Sequence, residues 1–148
     1  MIFLNIAMAL FVLLEISNVV MLYLKPETRR GNGMGVFKAL EASRENPAVH
    51  ALVRYLINWV AGTKLIFIVL LIGILLIGDA TMKVFSMIAL IFSISTFFSR
   101  LYPLIREQDE SGAIEPKGYS RTLWTMIVGF IVIFTVALVL YFIFFLPR

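Results

Sequence analysis

The 148-residue chain has no cysteine and a single histidine, His50. Without cysteine it can form no disulfide, thiolate metal site or thiol nucleophile, and its redox compartment stays open. One histidine rules out bis-histidine haem ligation and a histidine metal cluster. No cofactor and no metal are therefore expected. A Ser-His-Asp triad would need His50 beside a serine and an acid, and no G-x-S-x-G nucleophile motif occurs. The N-terminus lacks the basic region and small-residue cleavage site of a signal peptide, so the first apolar segment is expected to be retained. Charge is scarce as well, at 15% of residues against 61% hydrophobic, with a mean hydropathy of +0.96. Such a balance excludes a soluble domain of this size.

What the chain does have is long apolar runs. A hydrocarbon core of about 30 Å needs about 20 residues of helix. Four segments reach that length, roughly 2–24, 55–78, 82–102 and 122–146. Leu65 to Ile77 and Ile127 to Leu146 do not alternate in polarity as barrel strands would. The expected fold is all-α, a single domain of four transmembrane helices with a cytoplasmic interfacial amphipathic helix between the first two.

The net charge of +4 is informative through its placement. Lys25, Arg29, Arg30, Lys38, Arg44 and Arg54 lie between the first two spans, and Arg100, Arg106, Lys117 and Arg121 beside or between the last two. Only Lys83 and Arg148 fall on the opposite side. By the positive-inside rule, loops 25–54 and 103–121 are cytoplasmic and both termini lie outside. A bacterial or archaeal cytoplasmic membrane is the expected location, and no nucleic-acid partner is expected.

Local signals fill in the path. Lys25-Pro26 ends the first helix, and the glycine-rich turn Arg30 to Gly35 follows. Val36, Phe37 and Leu40 recur at helical spacing against Lys38, Glu41, Arg44 and Glu45, which predicts the amphipathic helix. Asn46-Pro47 is a helix start, with asparagine as cap and proline at the first position. Gly78-Asp79 predicts a tight turn capped by Asp79 or Thr81, joining spans two and three as an antiparallel hairpin. The third span is expected to end at Tyr102-Pro103, followed by a solvated, mobile loop from Arg106 to Ser120.

Glu15 stands out because it is an acid inside the first apolar span. An intramembrane carboxyl is a functional-site hypothesis by default. It lies nine residues before Leu24, about 13 Å from the cytoplasmic edge. Lys64 lies nine residues after Tyr55, so the two opposite charges share a depth on sequential antiparallel helices and can pair. Asn18 shares the Glu15 face. On the third span Ser86, Ala89, Ser93, Thr96 and Arg100 follow 3-4-3-4 spacing, which favours close helix packing near Ser86 and Ala89 and a polar mouth at Thr96 and Arg100. The expected ligand or ion pathway is Glu15, Asn18, Lys64, Thr96 and Arg100, lining an inward-facing polar cavity beneath a dry outer half. Asn58, Thr63, Ser93, Thr122 and Thr125 are secondary polar positions, with Asn58 expected to bond between helices and Thr122, Thr125 and Gly129 to pack closely. Tyr55 and Trp59 read as interfacial anchors.

Arg29-Arg30 before Gly-Asn-Gly-Met-Gly invites a phosphate-cradle reading, but Walker spacing and a preceding strand are missing. Arg29, Arg30 and Lys38 are instead expected to meet anionic lipid headgroups. In its four-helix size and the acid on its first helix, Glu15, the chain is similar to small multidrug transporters. Its first loop is much longer and it carries none of that family's other motifs, so the likeness covers Glu15 alone. The resulting expectation is a small membrane protein that binds or passes an ionic or amphipathic ligand, as a homo-oligomer or within a membrane complex. The alternatives are a non-catalytic subunit or regulator of a larger membrane complex, and a lipid-modifying enzyme acting at the headgroups.

Overall fold

An apolar run longer than 20 residues can satisfy its own backbone in hydrocarbon only as a helix, and helices dominate the computed structural model, which describes residues 1–29, 31 and 33–145. They are α1 (Ile2–Leu24), α2 (Lys38–Ala42), α3 (Pro47–Ile77), α4 (Ala80–Ser95), α5 (Phe97–Glu110) and α6 (Tyr119–Phe145). Because α4 and α5 are nearly continuous, four helices are long and apolar enough to cross a membrane: Ile2–Leu24, Pro47–Ile77, Ala80–Glu110 and Tyr119–Phe145. The protein is an all-α membrane protein.

The central helix is α1. It packs broadly against α3 and α6 and lightly against α4, while α4 packs on α6. The hairpin partners α3 and α4 barely touch. Around the bundle the order is therefore α3, α1, α6, α4, with an opening between the last and the first. Leu4, Met8, Ile68, Met87 and Phe134 are almost wholly buried in the core. Phe11 meets Phe130 and Phe134 edge-on, with centroids at 5.2 and 5.3 Å, the geometry that aromatic quadrupoles favour.

Both predicted caps form. Asn46 Oδ1 accepts from the Ala48 and Val49 amides at 3.1 and 3.3 Å, with Pro47 at the first helical position. Asp79, rather than Thr81, caps α4 by accepting the Met82 N–H at 2.8 Å.

Two expectations are corrected at the end of the molecule that carries the loops. The third span does not stop at Tyr102-Pro103, since Pro103 lies inside α5, which runs on to Glu110. Backbone bonds from Thr96 N to Ser93 O and from Ser99 N to Thr96 O restart the helix after Ser95. Its far end is pinned by Asp109, which accepts from the Gly118 and Ser120 amides and from the Ser120 hydroxyl. That anchorage outweighs the single hydrogen bond that proline removes.

Nor is the Arg106 to Ser120 segment a free solvated loop. Ile114 is 2% exposed, packed with Val36, Ile105, Tyr119 and Leu123. Phe37 and Ile114 form an antiparallel bridge, in which Lys38 N donates to Ala113 O at 3.0 Å and Glu115 N to Val36 O at 2.8 Å. The Tyr119 hydroxyl donates to Gly31 O at 2.8 Å. The two loops thus fold into one cap over the bundle. Gly33 and Gly35 permit this, because a Cβ there would fall 2.1 Å from Thr28 O and 1.8 Å from Glu27 O. The predicted amphipathic segment is α2 between two 3-10 turns. Its Leu40 packs against Leu22, Ile57 and Ala61 of the bundle.

Candidate functional site

Glu15 projects from α1 between the buried residues Phe11, Val12 and Val19, and is itself 9% exposed. Lys64 reaches it from α3, donating from Nζ to Glu15 Oε2 at 2.5 Å. Each charge lowers the burial cost of the other. The pair is lopsided, since the side chain of Lys64 is 28% exposed and that of Glu15 is 12% exposed. It therefore lies on the α1–α3 flank with its basic partner outermost.

The other pathway residues are not gathered around this pair. Asn18 is partly buried beneath the first loop, where a Cβ on Gly31 would stand 3.5 Å from its Oδ1. Thr96 and Arg100 are exposed. The Thr96 hydroxyl donates to Ser93 O at 2.6 Å, and Arg100 forms no ion pair among the described residues. One cavity of about 620 Å³ lies beside the cap, lined by Glu27, Lys38 and Glu45 among others, and another of about 180 Å³ lies between α3 and α4. Neither is lined by any of the five pathway residues.

The secondary polar positions are largely satisfied within their own helices. Asn58 does not bond between helices; its Nδ2 donates to Arg54 O at 2.9 Å. Thr63 donates to Trp59 O, Thr122 to Gly118 O and Thr125 to Arg121 O. A hydroxyl bonded to the carbonyl one turn back is tolerated where water is absent, and needs no partner helix. Ser93 is exposed. The predicted close packing at Gly129 is absent, because a Cβ there would meet nothing within 4 Å. Ser86 and Ala89 likewise line the space between α3 and α4 rather than closing it.

Two of the three predicted headgroup cations are engaged by an acid of the other loop. Glu115 accepts from Lys38 at 3.0 Å and from Arg29 at 3.2 Å. The hydrogen bond from Lys38, followed by its charge, holds the Glu115 carboxyl below its ordinary value of 4.5; partial desolvation opposes this and the Arg29 charge assists it. Arg44 pairs with Glu27, within the first loop, at 2.5 Å. Arg30 lies outside the described residues.

His50 meets a serine, though not in a nucleophilic arrangement. The Ser43 hydroxyl donates its proton to Leu40 O at 2.7 Å, so in the 2.9 Å contact with His50 Nδ1 the imidazole N–H must donate. That tautomer cannot deprotonate Ser43 through Nδ1.

Sequence reasoning missed three polar residues. Asp109, 5% exposed, ties α5 to α6, and no short motif announced it. Lys83, which its place after the Gly78-Asp79 turn puts at the membrane edge, is 4% exposed. Its 3-4 spacing with Ser86 and Leu90 could have revealed an inward face. Asn5, in the half expected to be dry, has a buried Oδ1 without a hydrogen-bond partner among the described residues. Comparison with family models, curated proteins and solved structures finds no match to the chain.

Proposed function

We propose that this chain is a non-catalytic membrane subunit or regulator that works by packing its helices against another membrane-embedded chain. The supporting observation is the exposed row Ser93, Thr96 and Arg100 on α4 and α5. Small hydroxyl residues let a second helix approach closely, and a guanidinium at the end of the row offers a charged anchor. A polar path through the bundle has less support, because the Glu15 carboxylate is already taken by Lys64.

In this reading the cap lies in the cytoplasm of a bacterial or archaeal cell with both termini outside, which the lysines and arginines of the loops support. The α2 segment lies at headgroup level, where Arg29 and Lys38 can exchange Glu115 for anionic lipid and Arg30 can add its charge. Tyr55 and Trp59, exposed with stacked rings, anchor α3 at the same level.

A second reading, passage of a small ionic ligand at Glu15, is favoured by the greater exposure of Lys64, which a cation approaching from the α1–α3 flank could displace. One experiment separates the two. A photo-crosslinking residue at position 93, in membranes of the native host, should give a protein adduct of fixed stoichiometry that is lost with Thr96→Leu. A second copy of the chain would appear as a crosslinked dimer. Adducts to lipid alone would overturn the subunit reading. Ion flux through the purified chain in liposomes, abolished by Glu15→Gln, would establish the other.

A further inference from the structure

Glu115 belongs to the second loop, but both cations that hold it belong to the first. It gives one oxygen to each, Oε1 to Lys38 at 3.0 Å and Oε2 to Arg29 at 3.2 Å. A carboxylate that bridges an ammonium and a guanidinium stands where a phosphate can stand, since both anions offer paired oxygens to the same donors. All three side chains border the cavity of about 620 Å³ beside the cap, so a second anion has room to enter.

The scaffold under the two cations does not need the Glu115 side chain. Glu115 N donates to Val36 O and Lys38 N to Ala113 O, while Gly35 N donates to Thr28 O next to Arg29. These backbone bonds remain when the carboxylate turns away. The side chains of Arg29, Lys38 and Glu115 are 60, 55 and 45% exposed, and ion pairs so well hydrated hold weakly. A phosphate monoester brings a charge of roughly −1.5 to −2 at neutral pH against the single charge of the carboxylate, which favours it in the exchange.

The rest of the lining limits what can bind. Glu41 and Glu45 also face the cavity and join no ion pair among the described residues. A long polyanion would meet their repulsion, whereas one compact phosphate at Arg29 and Lys38 would not reach them all. We propose that Arg29 and Lys38 form a site for a single phosphate monoester, with Glu115 as its built-in competitor. The subunit reading enters only by placing α2 at headgroup level, where phosphatidate carries this group; inorganic phosphate shares its chemistry.

Carbon-13 NMR of the glutamate carboxyls, in the full chain in phosphatidylcholine nanodiscs at neutral pH, follows the exchange. The Glu115 signal is assigned by its loss in Glu115→Gln. Phosphatidate in the discs, or inorganic phosphate in the buffer, should move that signal, and Arg29→Gln with Lys38→Met should abolish the response. A response to phosphatidate alone assigns a lipid headgroup, and a response to inorganic phosphate assigns a soluble ligand. Phosphatidylglycerol, a diester with one charge, should act more weakly than phosphatidate. By phosphorus-31 NMR, Glu115→Gln should bind the active probe about threefold more tightly, the scale of one exposed ion pair. Glu41→Gln, which removes an acid of the same cavity without freeing a cation, should change affinity less. A Glu115 signal that ignores both probes, an equal response to phosphatidylglycerol and phosphatidate, or equal tightening by the two glutamine variants would overturn the proposal. Crosslinking from position 93 involves none of these side chains, so this site and the subunit reading fail separately.

Discussion

Glu15 and Glu115 each hold a lysine, at 2.5 and 3.0 Å, and their surroundings make the two contacts unlike. Glu15 is 9% exposed between two helices long enough to span a membrane. The side chain of Glu115 is 45% exposed at the rim of the cap, and it has a second cation, Arg29, in reach. In hydrocarbon, removing one partner strands a charge that nothing else can solvate. In water the stranded ion is hydrated, so the same chemistry contributes little. The cap therefore depends on its backbone bridge and on Ile114, whereas the bundle cannot lose one member of the pair while keeping the other.

The sharpest way to break this contrast is to remove one charge from the bundle. Glu15→Ala or Lys64→Ala should each cost about 3–5 kcal/mol, and Glu15→Leu with Lys64→Met should recover most of it. A double-mutant cycle from reversible unfolding in mixed micelles measures this, and single losses below about 1 kcal/mol would show that burial is not decisive.

On the cap side, Gly35→Ala drives a Cβ against the backbone carbonyl of Glu27, which no rotamer change can relieve. Its cost is about 1–3 kcal/mol. It should appear as faster hydrogen exchange at the Lys38 and Glu115 amides, with the Glu15–Lys64 pair undisturbed. Asn46→Ala removes the α3 cap, for about 1 kcal/mol, and should speed exchange at Ala48 and Val49 alone.

The smallest effect concerns pH. Because the folded Glu115 carboxyl is held below 4.5, its contribution is fully present above that value and fades as pH falls through its lower folded value. Acidification should therefore loosen the cap modestly, and Glu115→Gln should remove that pH dependence. A large acid-induced opening that survives Glu115→Gln would place the sensitivity in another group.

Much of the fold was legible in the chain because length and apolarity leave a spanning segment few options. Asn46-Pro47 and Gly78-Asp79 carry their own local chemistry, and α3 and α4 begin at those signals. Glu15 and Lys64 were legible as a pair because helix rise converts sequence distance into depth. The end of the third span was not, because Pro103 is a local signal and the bonds that overrule it come from Gly118 and Ser120, in the next segment of chain. Lys83 misled for a related reason. A lysine after a turn looks the same in sequence whether it faces solvent or the bundle.

By itself, then, the sequence determined that four apolar helices form and where two of them are capped, and it made a pairing of one acid with one lysine possible. These follow from local propensity and from the need of a backbone in hydrocarbon to bond to itself. Only tertiary structure decided that α1 is central, that α3 and α4 part to leave a slot, that Thr96 and Arg100 are exposed, and that two polar loops close into a cap. Those outcomes depend on which helix face packs against which neighbour, a choice made by side-chain shape between segments far apart in the chain, which periodicity within one segment does not encode.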